Sequence, residues 1–361
     1  MQAGIGGTDL LQNKKKVLLR CDFGPEVGFG HIMRSTALAE RLLASGKWDV
    51  RFATIAKKKT IYDQRELGFP CFFSETENLS SDEEQAWIEK VRREFPYDVL
   101  VLDIRTDLSD VGLTYLKSEG VYIVLIDDAS TRRFSADMCF FPPVPQVRSV
   151  DWSNYSGEIF CGPEWTILRS QFQRLRAKGF PKKNGQKAKN ILITMGAVDP
   201  QNYSTLALRV LERVEQEIKV KIVIGANFHH LRDLRKQISS CKLDIELDFD
   251  VRDMAETMAM ADLAVASFGV TAYELACVGV PSILFSISED HAKSASYLAE
   301  NGVAINLAPN IVNFEEEVFL AMTKLLKDEE KLLAMSSAGI NLFDGYGAVR
   351  IAQKLEQIKL K

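Results

Sequence analysis

Residues suited to metal or redox chemistry are scarce in this chain: 361 residues include four histidines and six cysteines. Cys21, Cys71, Cys139, Cys161, Cys241 and Cys277 form no Cys-x-x-Cys pair, and several sit inside apolar runs. Scattered single cysteines in a long chain read as small buried hydrophobes of a reducing compartment, not as a disulfide framework. The one close histidine pair, His229-His230, has no Cys or carboxylate at ligand spacing and reads as a solvated turn. No metal site and no cofactor is expected. No run of 18 apolar residues occurs, so no stable membrane insertion is expected either. Charge of one sign is also missing: 45 Lys and Arg face 49 Asp and Glu, a formal net charge of −4. That lacks the basic excess of nucleic-acid binders. Met1 to Lys16 ends in three lysines without an apolar stretch before them, which reads as a tail rather than a secretory signal and points to a cytoplasmic protein. Nothing in the pattern selects an oligomeric state.

What is present is an ordinary globular composition, 46% apolar and 26% charged, at a length that suits about two domains. In the first half, apolar runs alternate with amphipathic stretches. Val17 to Cys21, Val50 to Thr54, Val99 to Leu102 and Val121 to Ile126 read as strands; Ser35 to Leu43, Asp82 to Glu94 and Leu108 to Ser118 read as helices. The second half repeats the scheme with strands at Ile191 to Met195, Val220 to Ile224, Leu263 to Ala266 and Pro281 to Phe285, and helices at Thr205 to Gln216 and Thr271 to Cys277. Strands buried on both faces and alternating with helices imply parallel sheets. The fold class is α/β, with two Rossmann-like doubly wound domains. The predicted boundaries are a tail at 1–16, a first domain at 17–179, a polar linker at 180–189, a second domain at 190–345 and a last amphipathic helix within 346–361.

In such sheets ligands bind beyond the carboxyl ends of the strands, so the strand-to-helix turns carry the candidates. Gly28-Phe-Gly30-His31-Ile-Met-Arg34 follows the first strand and opens a helix. Its glycines let backbone approach a ligand, and the helix N-terminus suits phosphate or sugar oxygens. The third glycine of a dinucleotide fingerprint is absent. The helix N-terminus disfavours an imidazolium, so His31 is expected to be neutral and able to accept a proton, although a histidine here can also simply pack the loop. Ser267-Phe-Gly269-Val270-Thr271 makes a second anion site, read for a diphosphate, and Glu274 one turn later can accept from a ribose diol. A first-turn Glu also merely complements a helix dipole. Gly196 lies in a turn where Asp199 and Pro200 are expected to cap a helix, and Gly225 and Asn227 present backbone toward a base. Asp103, Asp127 and Asp128 end strands and are expected to face the same cleft, where they suit substrate hydroxyls. Lys57-Lys58-Lys59 beside Ile55 and Ile61 is a hint of a lipid-facing patch and equally a solvated turn.

Taken in order, Gly28-Phe-Gly-His31-Ile-Met-Arg34, Ile126-Asp127-Asp128, Cys161-Gly-Pro-Glu-Trp-Thr-Ile-Leu168-Arg169-Ser-Gln-Phe172, Met195-Gly196-Ala-Val-Asp199-Pro200 and Ser267-Phe-Gly269-Val-Thr271-Ala-Tyr273-Glu274 resemble the PseG/SpsG family over about residues 16–345. Its members are nucleotide-sugar hydrolases of the pseudaminic acid pathway and spore-coat polysaccharide proteins. The resemblance implies a GT-B fold, shared with the MurG glycosyltransferase, with UDP on the second domain. It also implies removal of UDP from UDP-2,4-diacetamido-2,4,6-trideoxy-β-L-altropyranose, with inversion at C1. On that pattern His31 is the base that activates water and Glu274 holds the ribose. Gly196-Ala-Val-Asp199 stands where the family often has Gly-Gly-Ser-Asp. Ser288-Glu-Asp290-His291 replaces an Asn-Gln pair, so that Asp290 or His291 supplies the amide contacts, and Asp103-Ile-Arg105 replaces Asp-x-Tyr. The expected partner is a UDP-sugar. A glycosyltransferase and a non-catalytic nucleotide-sugar sensor are the alternatives.

Overall fold

The computed structural model describes residues 14–24, 28–55, 68–76, 78–106, 108–179, 188–225, 227–309 and 311–359. Residues 1–13 of the tail, Lys57 to Lys59 and residues 180–187 of the linker lie outside them. Two separate sheets form. The first contains β1 (Lys15–Cys21), β2 (Trp48–Thr54), β3 (Cys71–Phe73), β4 (Val99–Asp103), β5 (Tyr122–Ile126), β6 (Met138–Phe141) and β7 (Glu158–Cys161), in the order β3-β2-β1-β4-β5-β6-β7. The second contains β8 (Asn190–Thr194), β9 (Lys219–Ile224), β10 (Asp244–Phe249), β11 (Leu263–Ser267), β12 (Ser282–Phe285) and β13 (Ala304–Leu307), in the order β10-β9-β8-β11-β12-β13. Every strand pair is parallel. Each order reverses once, between β1 and β4 and between β8 and β11, which is the doubly wound pattern and marks where a ligand crevice opens.

The alternation of side chains across the strands builds a core on each face of each sheet. Val17, Leu19, Val99 and Val101 enter one cluster of the first half, while Leu18, Leu100 and Leu102 enter the opposite one. In the second half Ile191, Ile193, Val220 and Ile222 face one side and Leu192, Val223, Ala264 and Ala266 the other. β1 begins at Lys15, two residues before the expected strand start. Among the described residues no helix is long and apolar enough to cross a membrane.

The chain passes between the two halves twice. Ile167 packs in the first core and Leu168 in the second. Helix Ser170–Lys178, read from sequence as the end of the first domain, therefore lies on the second, with Phe172 fully buried there. Phe343 still belongs to the second core, whereas Ala348, Ile351 and Leu355 of helix Gly347–Gln357 pack on the first. The crossings touch. A Cβ on Gly347 would lie 2.1 Å from the Thr166 carbonyl oxygen, so only glycine fits.

Candidate active site

Between the halves, at the carboxyl ends of both sheets, two adjoining cavities share Gly30 and Val270. The upper one, about 420 Å³, is lined by His31, Arg34, Arg105 and Asp127 from the first half and by Gly269, Tyr273, Asp290 and His291 from the second. The lower one, about 240 Å³, is lined mainly by the second half, with Gly196, Gly225, Asn227, Thr271 and Glu274, and closed by Phe29 and Met33. At their junction helix Gly30–Ala44 and helix Val270–Cys277 both begin without a side-chain cap. First-turn N–H groups have no partner within their own helix, so both ends suit an anion. The halves approach closely here: a Cβ on Gly30 would lie 3.8 Å from Val270 Cγ2.

His31 sits in the first turn of its helix, and Asp103 ends β4, the neighbour of β1. His31 Nδ1 lies 2.6 Å from Asp103 Oδ1. A carboxylate only accepts, so Nδ1 carries a proton, and in the neutral imidazole the lone pair is on Nε2. Arg34 Nη2, 3.1 Å from the same Nδ1, is then a neighbour and not a donor to it. Arg34 instead clamps Asp103, with Nε 2.6 Å from Oδ2 and Nη2 2.5 Å from Oδ1, and extends Nη1 to Asp127 Oδ2 at 3.1 Å. Burial pushes the Asp103 carboxyl up, but the charges and hydrogen bonds of Arg34 and His31 more than reverse this and hold it well below the ordinary carboxylate range.

Four sequence candidates line neither cavity. Asp103 is almost fully buried, and both oxygens are taken by His31, Arg34 and, at 3.4 Å, Ser35; it serves the histidine rather than a substrate. Asp128 turns away, accepting from Ser130 N at 2.9 Å and Arg132 Nε at 2.7 Å. The cleft is reached instead by its neighbour Asp127, which takes a left-handed backbone (φ 55°) and also binds Arg105 Nη2 at 3.3 Å. Gly28, at φ 82°, closes a small bridge with Gly24 behind the helix start. Ser267 ends β11 beside the Gly196 turn.

Gly225 admits no side chain, because a Cβ there would lie 2.6 Å from Ala197 Cα. Asp199 caps helix Tyr203–Glu212 as expected, accepting from Tyr203 N and Ser204 N at 2.8 Å each. The helix starts at Tyr203, so Pro200 occupies the turn and not the first helical position. Glu274 is 2% exposed and forms a bidentate pair with Arg169, Nε to Oε1 at 2.6 Å and Nη2 to Oε2 at 2.7 Å.

Around the upper cavity the structure adds a residue that the sequence did not indicate. Gln146 reaches across from the first half, its Nε2 donating to Asp290 O and Oδ1 at 3.0 Å each and to Ser294 Oγ at 2.7 Å. Among the described residues Gln146 Oε1, His291 Nδ1 and Tyr273 Oη are buried polar atoms without a hydrogen-bond partner, and all three belong to residues lining this cavity. Burial draws the His291 imidazole below its ordinary value; Asp290 opposes this and Arg105 assists it. No periodicity or motif marks Gln146, which lies 144 residues from Asp290.

Known proteins are similar to this chain in sequence and in fold. The glycosyltransferase family 28 C-terminal domain matches residues 190–351. The chain is 25% identical to the spore coat polysaccharide biosynthesis protein SpsG of Bacillus subtilis over 93% of this chain and 96% of that protein. It is 23% identical to the UDP-2,4-diacetamido-2,4,6-trideoxy-beta-L-altropyranose hydrolase of Campylobacter jejuni over 80% of this chain and 98% of that protein. In structure it is similar to MurG of Acinetobacter baumannii, with a TM-score of 0.69, 14% identity, and coverage of 95% of this chain and 100% of that one. The fold is thus GT-B, as the motifs implied.

Proposed function

We propose that this SpsG/PseG-like protein with a MurG-like GT-B fold is an enzyme that hydrolyses a UDP-sugar at C1, with inversion, in nonulosonic-acid or surface-polysaccharide synthesis. The observation that carries the reading is His31, its Nδ1 held by Asp103, in a cavity adjoining a second one lined by Gly196, Gly225, Asn227, Thr271 and Glu274. The name of the Campylobacter relative supports a UDP-diacetamido-trideoxyhexose as the substrate. The six free cysteines fit a cytoplasmic setting.

The geometry supports the following division of labour. The nucleotide occupies the lower cavity, with the base beside Gly225 and Asn227 and the ribose at Glu274. The diphosphate spans the junction, where the ends of helices Gly30–Ala44 and Val270–Cys277 offer N–H groups and their dipoles. The sugar enters the upper cavity, lined by His31, Arg105, Tyr273, Asp290 and His291. His31 Nε2 takes a proton from water as the water oxygen bonds to C1 on the face opposite the leaving oxygen. The C1–O bond breaks with its electron pair going to UDP, whose new charge falls on the helix N-termini. Asp103 stabilises the imidazolium until the proton returns to solvent.

Incubation with a panel of UDP-sugars in ¹⁸O-water tests this. We expect UDP release without an added acceptor and the label on the freed sugar. Label in UDP would refute attack at C1. Release only with a second sugar or lipid would establish a transferase, and tight binding without release a sensor.

A further inference from the structure

We propose that Gln146 decides which nucleophile reaches the sugar: it ties the first half to helix Glu289–Glu300 beside the upper cavity and closes that cavity to acceptors larger than water. This rests on the assignment of the sugar to the upper cavity and of His31 as the base. Gln146 lies on the short turn Pro145–Ser149 of the first half. Its Nε2 lies 2.7 Å from Ser294 Oγ and 3.0 Å from both Asp290 O and Asp290 Oδ1, all in the second half. An amide nitrogen carries two protons, so Ser294 accepts one and the two Asp290 oxygens share the other. Asp290 and Ser294 stand one turn apart on the same helix face, so a single side chain grips the helix along its axis. Gln146, Asp290 and Ser294 all line the upper cavity and none lines the lower one, which puts the tie on the sugar's side of the junction.

Two features separate this tie from ordinary packing. It joins residues 144 and 148 positions apart on opposite halves, so it exists only while the halves are together. And Gln146 Oε1 is buried without a hydrogen-bond partner, an orphaned acceptor that works against the closed state favoured by the Nε2 bonds. A contact that forfeits part of its own stabilisation suits a part that must open, as this one must for a sugar to enter and leave. While the tie holds, entry between the turn and the helix is blocked and water alone reaches C1. The step is the same for any nucleophile: its oxygen bonds to C1, its proton passes to His31 Nε2, and the electron pair of the breaking C1–O bond leaves with UDP. Only the identity of the nucleophile depends on the tie.

The test is product analysis with a UDP-sugar that the wild type turns over, in aqueous methanol and in aqueous glycerol. It uses the full-length wild type, Gln146→Ala, Gln146→Asn and Gln146→Glu, each checked for folding by circular dichroism. Mass spectrometry reads the ratio of glycoside to free sugar, which does not depend on how fast UDP is released. The wild type should form the methyl glycoside, since methanol is close to water in size, and little glyceryl glycoside. Losing the tie should raise the glyceryl ratio at least about tenfold, the worth of one good hydrogen bond, while the methyl ratio stays near its wild-type value. Gln146→Asn should show this because its side chain is one methylene too short. Gln146→Glu should show it without any loss of size, because its carboxylate is repelled by Asp290; should the smaller variants misfold, this one alone decides. An unchanged glyceryl ratio in a folded Gln146→Glu, or a wild type that accepts glycerol as readily as methanol, overturns the gate while leaving hydrolysis intact. A wild type that releases no UDP from any UDP-sugar overturns the assigned reaction and the gate together.

Discussion

Replacing Asp103 by asparagine probes the centre of the proposed site. The carboxylate accepts four hydrogen bonds, from His31 Nδ1, Arg34 Nε, Arg34 Nη2 and Ser35 Oγ. Asparagine keeps the shape but offers one oxygen and one NH₂ group. With the NH₂ group in place of Oδ1 it faces Nδ1, which must then accept; the proton moves to Nε2 and the base is lost. With NH₂ in place of Oδ2 it opposes Arg34 Nε, and the imidazolium loses its counter-charge. Either way turnover should fall by about 10²–10⁴-fold, the usual worth of a positioned general base. Arg34, itself buried, keeps only Asp127, so unfolding free energy should drop by about 3–5 kcal/mol, the cost of breaking a buried pair.

Initial rates of UDP release and urea denaturation separate the two effects. His31→Ala should lose as much turnover with a smaller loss of stability and unchanged UDP affinity, because Asp103 keeps Arg34 and the nucleotide is proposed to bind in the other cavity. The double variant should be no slower than His31→Ala, since Asp103 acts through the histidine. Acid provides a further check. The folded-state pKa of Asp103 lies below its ordinary 3.8, so its contribution to stability is present above about pH 4 and fades as pH falls below that. The stability gap between wild type and Asp103→Asn should narrow as pH falls below about 4. Wild-type turnover in folded Asp103→Asn, or a double variant far slower than His31→Ala, would refute the pairing.

Other regions yield sharp expectations. Arg20 is wholly buried between Asp22 and Glu84, so Arg20→Met should cost about 3–5 kcal/mol in urea unfolding by stranding two buried carboxylates; a loss below 1 kcal/mol would show them rehydrated. Ellman's reagent should count six thiols in denaturant, but in the native protein only Cys161 should react quickly and Cys241 slowly, since burial pushes Cys71 and Cys277 up to about 12; early reaction at Cys277 would contradict its packing. Gly225→Ala should force the backbone off Ala197 and weaken UDP binding at least about tenfold, as the cavity wall moves; unchanged calorimetry would place the nucleotide elsewhere.

The sequence alone determined the two parallel sheets, because strands covered on both faces must be apolar at nearly every position and their helices amphipathic. Such runs are visible from Val17 to Cys21 and from Leu263 to Ala266. Edge strands exposed on one side carry no such signal: Glu158–Cys161 and Asp244–Phe249 have few buried residues and do not stand out in the sequence. The glycine turns, His31 and Glu274 were also legible, since helix N-termini after strands are local features. Tertiary structure alone decided what those side chains touch. That Asp103 serves His31, that Asp127 and not Asp128 meets the cleft, that Arg169 grips Glu274 and that Gln146 reaches Asp290 all depend on contacts between residues 72 to 144 positions apart or on a single backbone rotation. Likewise, helix Ser170–Lys178 joins the second core and helix Gly347–Gln357 the first because each apolar face docks where the crossing delivers it, and an amphipathic pattern specifies a buried face without naming the surface that buries it.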